Sequence, residues 1–167
     1  MKKIYCAGAF NFDYLEENYL EKVKNDYRSK LLGDAKYLLS KSSGKLLKED
    51  LTYIGPFYFE SDGMLDEEIV DTEVKMIEEC TDAVFLLDNA CCPGTIGELL
   101  LATLLEKQVA IFYVEKGRNE ETESSLHTPC WFPIIMSKQK NKNTYLYACT
   151  SKDDAITKIL KYVYEEI

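Results

Sequence analysis

Two apolar runs separated by a polar loop and a helix-forming segment make residues 82–114 the most constraining stretch of this chain. Ala83–Leu87 has no polar side chain, which is typical of a strand that is covered on both faces of a parallel sheet. Residues 93–107 begin with Pro and Gly and have helical composition, and Val109–Val114 is a second apolar run. This order predicts a βαβ unit whose loop lies where open α/β sheets bind their ligands.

One residue of this unit differs in character from its neighbours. Glu98 stands near the start of a helix that is otherwise built from Ile, Leu, Ala and Thr. A purely structural interpretation is that the helix dipole favours a carboxylate there by about 0.3–1 kcal/mol. A functional interpretation is that Gly94 and Gly97 let a ligand approach the backbone beside the carboxylate, close to free helix N–H groups. Taken alone, Glu98 is compatible with both interpretations, and the neighbouring glycines favour the second.

Strands and helices alternate along the rest of the chain. The other predicted strands are Ile4–Ala7, Leu51–Ile54 and Thr144–Cys149, and the other predicted helices are Tyr14–Ser40, Leu65–Cys80 and Lys152–Glu166. Ser40–Lys48 is expected to be a polar loop, and Pro129–Met136 an ordered apolar segment packed on the body or on another subunit. The alternation predicts an α/β fold: one domain, residues 1–167, forming a doubly wound Rossmann-like or flavodoxin-like sandwich with a mostly parallel sheet of about five strands.

Composition narrows the classes of function. A chain of 167 residues with 46% hydrophobic residues suits one domain with a real core. The net charge of −9 argues against a nucleic acid polymer as partner, since that needs a positive surface, but backbone donors can hold a small nucleotide. No apolar run approaches the ~20 residues of a membrane span. The first residues predict a strand rather than a secretion signal, so we expect a cytoplasmic protein without membrane contact.

The six cysteines are scattered, mostly among apolar residues. This distribution favours reduced, buried thiols in a cytoplasmic protein. A zinc site made of Cys91, Cys92, His127 and Cys130 is the alternative, but adjacent cysteines do not have the usual C-x2–4-C spacing. We therefore expect neither a metal ion nor a cofactor.

Two segments of the chain together resemble a known superfamily. Ile4–Asp13 reads I-Y-C-A-G-A-F-N-F-D, and the βαβ unit contains D-A-V-F-L-L-D followed by P-G-T-I-G-E-L-L-L-A. These motifs, and an acidic helix between them, resemble the nucleoside 2-deoxyribosyltransferase-like superfamily over most of the chain. A related turn occurs in the lysine-decarboxylase-like phosphoribohydrolases, but those carry a fuller P-G-G-x-G-T-x-x-E loop and a nearby Arg.

The resemblance implies roles for individual residues. Glu98 matches the carboxylate that attacks the anomeric carbon, which suits the positive charge that develops on the sugar when an N-glycosidic bond breaks. Tyr5 matches the tyrosine that positions this carboxylate, and Glu73 matches an acidic residue that binds the base or the sugar. The residues expected to contact substrate are Gly8, Ala9, Phe10, Phe57, Asp88, Cys92, Gly94 and Thr95. Phe57 begins an aromatic group that predicts either a wall for a flat ring or packing at the sheet edge.

The sequence departs from the family's pattern in two places. Cys92 stands where transferases of the family often have an Asp that contacts or protonates the base, and a thiol is a poor substitute for a carboxylic acid. An Asn supplied by a neighbouring subunit is also expected, and Asn141 and Asn143 lie in the corresponding region. Because family members are usually oligomers, the resemblance implies a homo-oligomer, for which Trp131–Met136 is the candidate contact.

Three functions are compatible with these residues. The first is cleavage or transfer at the N-glycosidic bond of a nucleoside or nucleoside 5′-monophosphate, with Glu98, Tyr5 and Glu73 as the acting residues. The second is a non-catalytic module that binds or sequesters a nucleotide, an interpretation favoured by Cys92. The third is an NAD-type glycohydrolase, which breaks the same class of bond in a larger substrate. Each of the three has a small nucleoside or nucleotide as its partner.

Overall fold

Alternating strands and helices make up the part of the chain that the computed structural model describes, which is residues 2–8, 45–48, 51–55, 65–88, 92–115 and 128–163. The strands are β1 (Lys2–Gly8), β2 (Lys45–Lys48), β3 (Leu51–Gly55), β4 (Asp82–Leu87), β5 (Gln108–Val114) and β6 (Thr144–Cys149). The helices are α1 (Asp66–Glu79), α2 (Pro93–Leu104), α3 (Trp131–Lys140) and α4 (Lys152–Val163). The chain divides into unit 1, Met1–Tyr5 with Phe10–Thr81, and unit 2, Cys6–Ala9 with Asp82–Ile167.

Unit 1 contains the strand order β2-β3-β1. β1 is parallel to β3, while β2 is antiparallel to β3. The start of α1 is stabilised by its own acidic residues, because the Glu68 carboxylate accepts a hydrogen bond of 3.0 Å from the backbone N–H of Leu65. Ile77 is the buried residue of α1, and the Lys3 N–H donates to the Thr81 hydroxyl just beyond the helix end.

Unit 2 contains the end of β1 followed by β4, β5 and β6. The β4, β5 and β6 ladders are parallel, and every residue of β4 is buried, as is Val109–Val114 of β5. On one face, the Phe112 ring stacks on Tyr147 at 4.5 Å and meets Tyr162 of α4 edge-on. Ile111 points to the other face, since side chains alternate along a strand, and it is fully buried as well. Both faces of this sheet are therefore covered.

Gly8 ends β1 where the strand comes close to β4 within unit 2. Its φ of +136° is one that side-chain-bearing residues rarely adopt, and a Cβ at this position would overlap the backbone oxygen of Leu86. A glycine is thus needed here for close packing of two backbones, whatever else the segment does.

The structure confirms the predicted α/β class and mostly parallel sheet, and corrects the sequence interpretation in three places. Lys45–Lys48 is a strand paired with β3, so the expectation of a loop over Ser40–Lys48 is wrong there. Pro129–Met136 contributes the start of a helix, because Pro133 falls in the first turn of α3, where a backbone N–H has no intrahelical partner. Tyr14–Ser40, the first predicted helix, lies outside the described residues.

The third correction is the end of α2, which was expected near Lys107 and comes at Leu104. Glu106 adopts a left-handed φ of 54°, which ends the helix. The backbone N–H of Lys107 donates to Ala102 O at 3.1 Å and thereby closes the turn. The sequence contains no glycine at this point that would have signalled the stop.

None of the helices in the described ranges is long and apolar enough to cross a membrane.

Candidate functional site

The start of α2 lies at the carboxyl edge of the unit 2 sheet. Asp88 directly follows β4, and Cys92 is the residue that precedes the first helical residue, Pro93. Because β4, β5 and β6 are parallel, the loop after β4 and the N-terminus of α2 belong to the edge at which open α/β sheets bind ligands. Three residues of the sequence prediction, Asp88, Cys92 and Glu98, are thus placed around one strand end.

Glu98 is the sixth residue of α2 and is half-buried. The first turn of this helix contains no acidic residue, so Glu98 belongs to the second turn. Stabilisation of a carboxylate by the helix dipole falls off within the first turn. The dipole therefore contributes little at Glu98, which weakens the purely structural interpretation of this residue. Glu98 is also the single charged side chain of α2, all other residues of which are apolar or Gly, Pro or Thr.

Cys92 has an unusual electrostatic environment for a thiol. Hydrogen bonds from the backbone N–H groups of Thr95 and Gly94 lower the pKa of Cys92, and the Thr95 hydroxyl adds to this effect. The partial burial of the sulfur and the negative charge of Glu98 act in the opposite direction. The Glu98 carboxylate is therefore close enough to Cys92 for its charge to be felt at the sulfur.

Two glycines leave room beside these groups. Among the described residues, and apart from the helix's own backbone, a Cβ on Gly97 would meet no atom within 4 Å, and one on Gly94 would approach nothing closer than the Cys92 sulfur at 3.9 Å. Gly94 and Gly97 have backbone conformations that any residue can adopt, whereas the positive φ of Gly8 favours glycine. The open space is consistent with the prediction that a ligand approaches the backbone next to Glu98. Thr95, by contrast, is buried, and its hydroxyl bonds to Cys92.

Asp88 is linked to two other elements of unit 2. Its carboxylate forms an ion pair with Lys152, the first residue of α4, at 3.8 Å. Its backbone oxygen lies 3.7 Å from the sulfur of Cys130, which precedes α3. The starts of α3 and α4 thus meet the end of β4. Sequence reasoning missed Lys152, although a lysine at the N-terminus of a helix, where the dipole disfavours a cation, is a detectable signal.

Among the described residues, one cysteine differs from the expected reduced set. Cys6, Cys80, Cys92 and Cys149 are not disulfide-bonded, but Cys130 is. Within the described ranges, no three His, Cys, Asp or Glu side chains converge in a way that would hold a metal ion. Two members of the alternative zinc set, Cys91 and His127, fall outside those ranges.

The remaining predicted site residues belong to unit 1 or are not described. Tyr5 in β1 is fully buried, and Glu73 in α1 is half-buried. Both lie in unit 1, whereas Glu98 lies in unit 2, so their joint action stays a prediction. Because Tyr5 exposes no surface, its expected role is to position another group rather than to contact substrate. Ala9, Phe10 and Phe57 lie outside the described residues.

Asn141 has a structural role within its own chain. The side chain is 2% exposed, and its amide donates to the backbone oxygen of Lys107 at 2.7 Å. Its side-chain oxygen accepts a hydrogen bond from the Asn143 N–H at 2.9 Å. These bonds tie the end of α3 to the turn after α2, so Asn141 is not available to complete a neighbouring subunit's site.

Comparison with known proteins gives one informative result. No protein-family model matches the chain, and no curated protein is significantly similar in sequence. The chain is similar to the solved structure of the CMP N-glycosidase BcmB from Clostridium botulinum, with a TM-score of 0.53 and 13% sequence identity. The match covers 96% of this chain and 99% of that chain. The chain thus shares its fold with that N-glycosidase, and the resemblance of its motifs to nucleoside 2-deoxyribosyltransferase-like proteins stays a prediction.

Proposed function

We propose that the protein breaks the N-glycosidic bond of a nucleoside or nucleoside 5′-monophosphate and passes the sugar to water or to a second base. Glu98 is the nucleophile. The observation that carries the proposal is the position of Glu98: the one charge of an otherwise apolar helix, half-buried at the carboxyl edge of β4 and flanked by open glycines. The fold shared with a CMP N-glycosidase supports the same class of bond.

The proposed reaction uses the carboxylate in two steps. As the C1′–N bond of the nucleotide breaks, positive charge develops on the sugar, and a Glu98 oxygen forms a bond to C1′. The base leaves with the bonding electron pair and takes up a proton from solvent. Water, or a second base, then attacks C1′, the bond between C1′ and Glu98 breaks, and the attacking group loses a proton to solvent. Hydrolysis and transfer differ only in this acceptor.

Three further residues have proposed roles in this reaction. Cys92 takes the place of the family's Asp and contacts the base, and the hydrogen bonds that lower the pKa of Cys92 give its sulfur more acceptor character than an ordinary thiol. The roles proposed for Tyr5, which is to position the catalytic carboxylate, and for Glu73, which is to bind the base or the sugar, rest on the resemblance of the motifs alone.

The test is release of free base from a panel of ribo- and deoxyribonucleosides, their 5′-monophosphates and NAD, followed by chromatography. We expect the wild type to act on at least one nucleoside or monophosphate, and Glu98→Ala and Glu98→Gln to lower kcat/KM by at least about 100-fold. Glu106→Gln is the matched control, because it removes a carboxylate from the exposed turn after the same helix. Equal rates in wild type and Glu98 variants would refute the proposal.

A non-catalytic nucleotide-binding module is the second candidate, and Cys92 in place of an acid is the observation that favours it. In that case a nucleotide binds without turnover, and Glu98→Gln leaves the dissociation constant within about twofold of wild type. Nicotinamide release from NAD would instead identify the glycohydrolase alternative.

We also propose that the protein forms a homo-oligomer through the segment Trp131–Met136 at the start of α3. Trp131 is 45% and Phe132 61% exposed, and their rings meet edge-on at 5.8 Å. A second copy of the chain is the proposed partner because an uncharged apolar patch is complementary to itself. On the rest of the surface, the net charge of −9 makes two copies repel each other.

A further inference from the structure

The Asp88–Lys152 ion pair connects two strand ends across the edge of the unit 2 sheet. Asp88 follows β4, and Lys152 opens α4 just after β6, so the pair extends past the end of β5, which lies between these strands. The side chains are 21% and 24% exposed, and the Nζ–Oδ2 distance is 3.8 Å. This pair is therefore more sheltered than a typical surface ion pair, which contributes little.

Lys152 stands at a position that helix electrostatics disfavour. The N-terminus of a helix carries partial positive charge, which attracts acidic residues and repels a cation. The nearby Asp154 does not compensate for Lys152 by itself, because its carboxylate accepts hydrogen bonds from the Thr150 N–H and from Lys158 Nζ, each at 2.9 Å. Asp88, on another element, lies close enough to offset the charge of Lys152.

Asp88 has the right chemistry and place to contact a sugar. A carboxylate accepts hydrogen bonds and donates none, so it matches hydroxyl groups and repels a phosphate. Acidic residues just after a strand of an α/β sheet are well suited to bind ribose hydroxyls at the carboxyl edge. Asp88 lies at the same strand end as the start of α2, which carries Glu98.

We propose that Lys152 is a positioning residue that holds the Asp88 carboxylate in place to accept hydrogen bonds from the sugar hydroxyls of the substrate. This inference rests on the proposed function and names the part of the nucleotide that the site recognises. Without Lys152, Asp88 loses an oppositely charged partner across the sheet edge, and its bonds to the ligand weaken.

The test measures binding by calorimetry in a Glu98→Ala background, in which the ligand persists without turnover. The ligands are cytidine 5′-monophosphate and its 2′,3′-dideoxy analogue, which keeps the base and phosphate but lacks both hydroxyls. We expect Lys152→Met to weaken binding of the monophosphate about tenfold and to change binding of the analogue less than twofold. Lys152→Arg should retain affinity within about threefold, because it keeps the positive charge.

Lys158→Met is the matched control, since it removes another ion pair from α4, that with Asp154, and should leave both affinities unchanged. Thermal melting of each variant separates loss of fold from loss of affinity. Equal weakening for both ligands, or none for either, would overturn the inference. Because the assay measures binding and needs no turnover, it tests the role of Lys152 even if the wild type releases no base. If the parent protein binds no nucleotide of the panel, the proposed function and this inference are both overturned.

Discussion

Cys92 and Cys149 are two thiols of unit 2 in opposite environments. Cys92 is exposed at the start of α2, where backbone N–H groups lower its pKa. Cys149 is buried at the end of β6, and this burial raises its pKa to about 11. Because the thiolate is the reactive form, the two should differ strongly in reactivity at neutral pH. The sequence showed both as cysteines among apolar or small residues, and only the helix start distinguishes them.

We expect Cys92 to be alkylated by iodoacetamide with an apparent pKa below the ordinary thiol value of 9.0. Its thiolate fraction should therefore be appreciable at a pH where Cys149 does not react. Thr95→Val should raise the apparent pKa, since it removes a hydroxyl donor, and Glu98→Gln should lower it further, since it removes a nearby negative charge. The measurement is the pH dependence of labelling by peptide mass spectrometry. An apparent pKa at or above 9 would contradict this description of the helix start.

Gly8→Ala should destabilise the protein by about 2–4 kcal/mol, because the added Cβ overlaps the backbone of Leu86 and the φ of +136° is strained for any residue with a side chain. Urea denaturation measures the change in free energy of unfolding. A loss under about 1 kcal/mol would show that β1 and β4 can separate at this point.

At the level of elements, the sequence predicted the bounds of strands and helices best where the hydrophobic pattern is strongest. The apolar run of β4 was located to within a residue, because a strand covered on both faces leaves a clear pattern. β6, which ends the described strand order, was located at Thr144–Cys149 as well. β2 was missed because four residues, K-L-L-K, are too short to show alternation. The left-handed turn at Glu106 was missed because no glycine marks it.

Only the part of the candidate site that is close together in the sequence was predictable. The βαβ pattern was enough to place Asp88, Cys92 and Glu98 at one strand end, since they are close in sequence. Lys152 is 64 residues from Asp88 and meets it only because β4 and β6 are brought into the same sheet. Contacts of this kind depend on strand order, which periodicity does not determine.

Gly97→Ala separates the stability of α2 from its proposed function. Ala is favoured over Gly in a helix by about 1 kcal/mol, and the new Cβ would enter open space, so the free energy of unfolding should rise by about that amount. If a nucleotide approaches the backbone there, KM should rise about tenfold, equivalent to roughly 1.4 kcal/mol of binding. Denaturation and steady-state kinetics measure the two effects. Higher stability with an unchanged KM would remove Gly97 from the site.

At the scale of the whole molecule, the similarity to BcmB extends over 96% of this chain at 13% sequence identity, and what the two proteins share is the fold. Resemblance of motifs predicted Tyr5, Glu73 and Glu98 as acting residues. For Glu98 the structure adds an argument of its own, because it is the single charged side chain of α2 and lies beyond the first turn.

We expect the 19.2 kDa chain to sediment as a dimer or larger assembly, and Phe132→Glu to shift it toward the monomer by placing a charge in the exposed apolar start of α3. Thr157→Glu adds the same charge to α4 and serves as the control. Analytical ultracentrifugation distinguishes the species. A monomeric wild type at micromolar concentration would exclude a stable homo-oligomer.

The most direct test of the central claim is a crystal structure of the Glu98→Gln variant with bound cytidine 5′-monophosphate. The proposal predicts that the side-chain oxygen at position 98 lies about 3–3.5 Å from C1′ of the sugar, on the side opposite the base. A nucleotide bound elsewhere, or a side chain at position 98 turned to bulk water with the sugar out of reach, would contradict it.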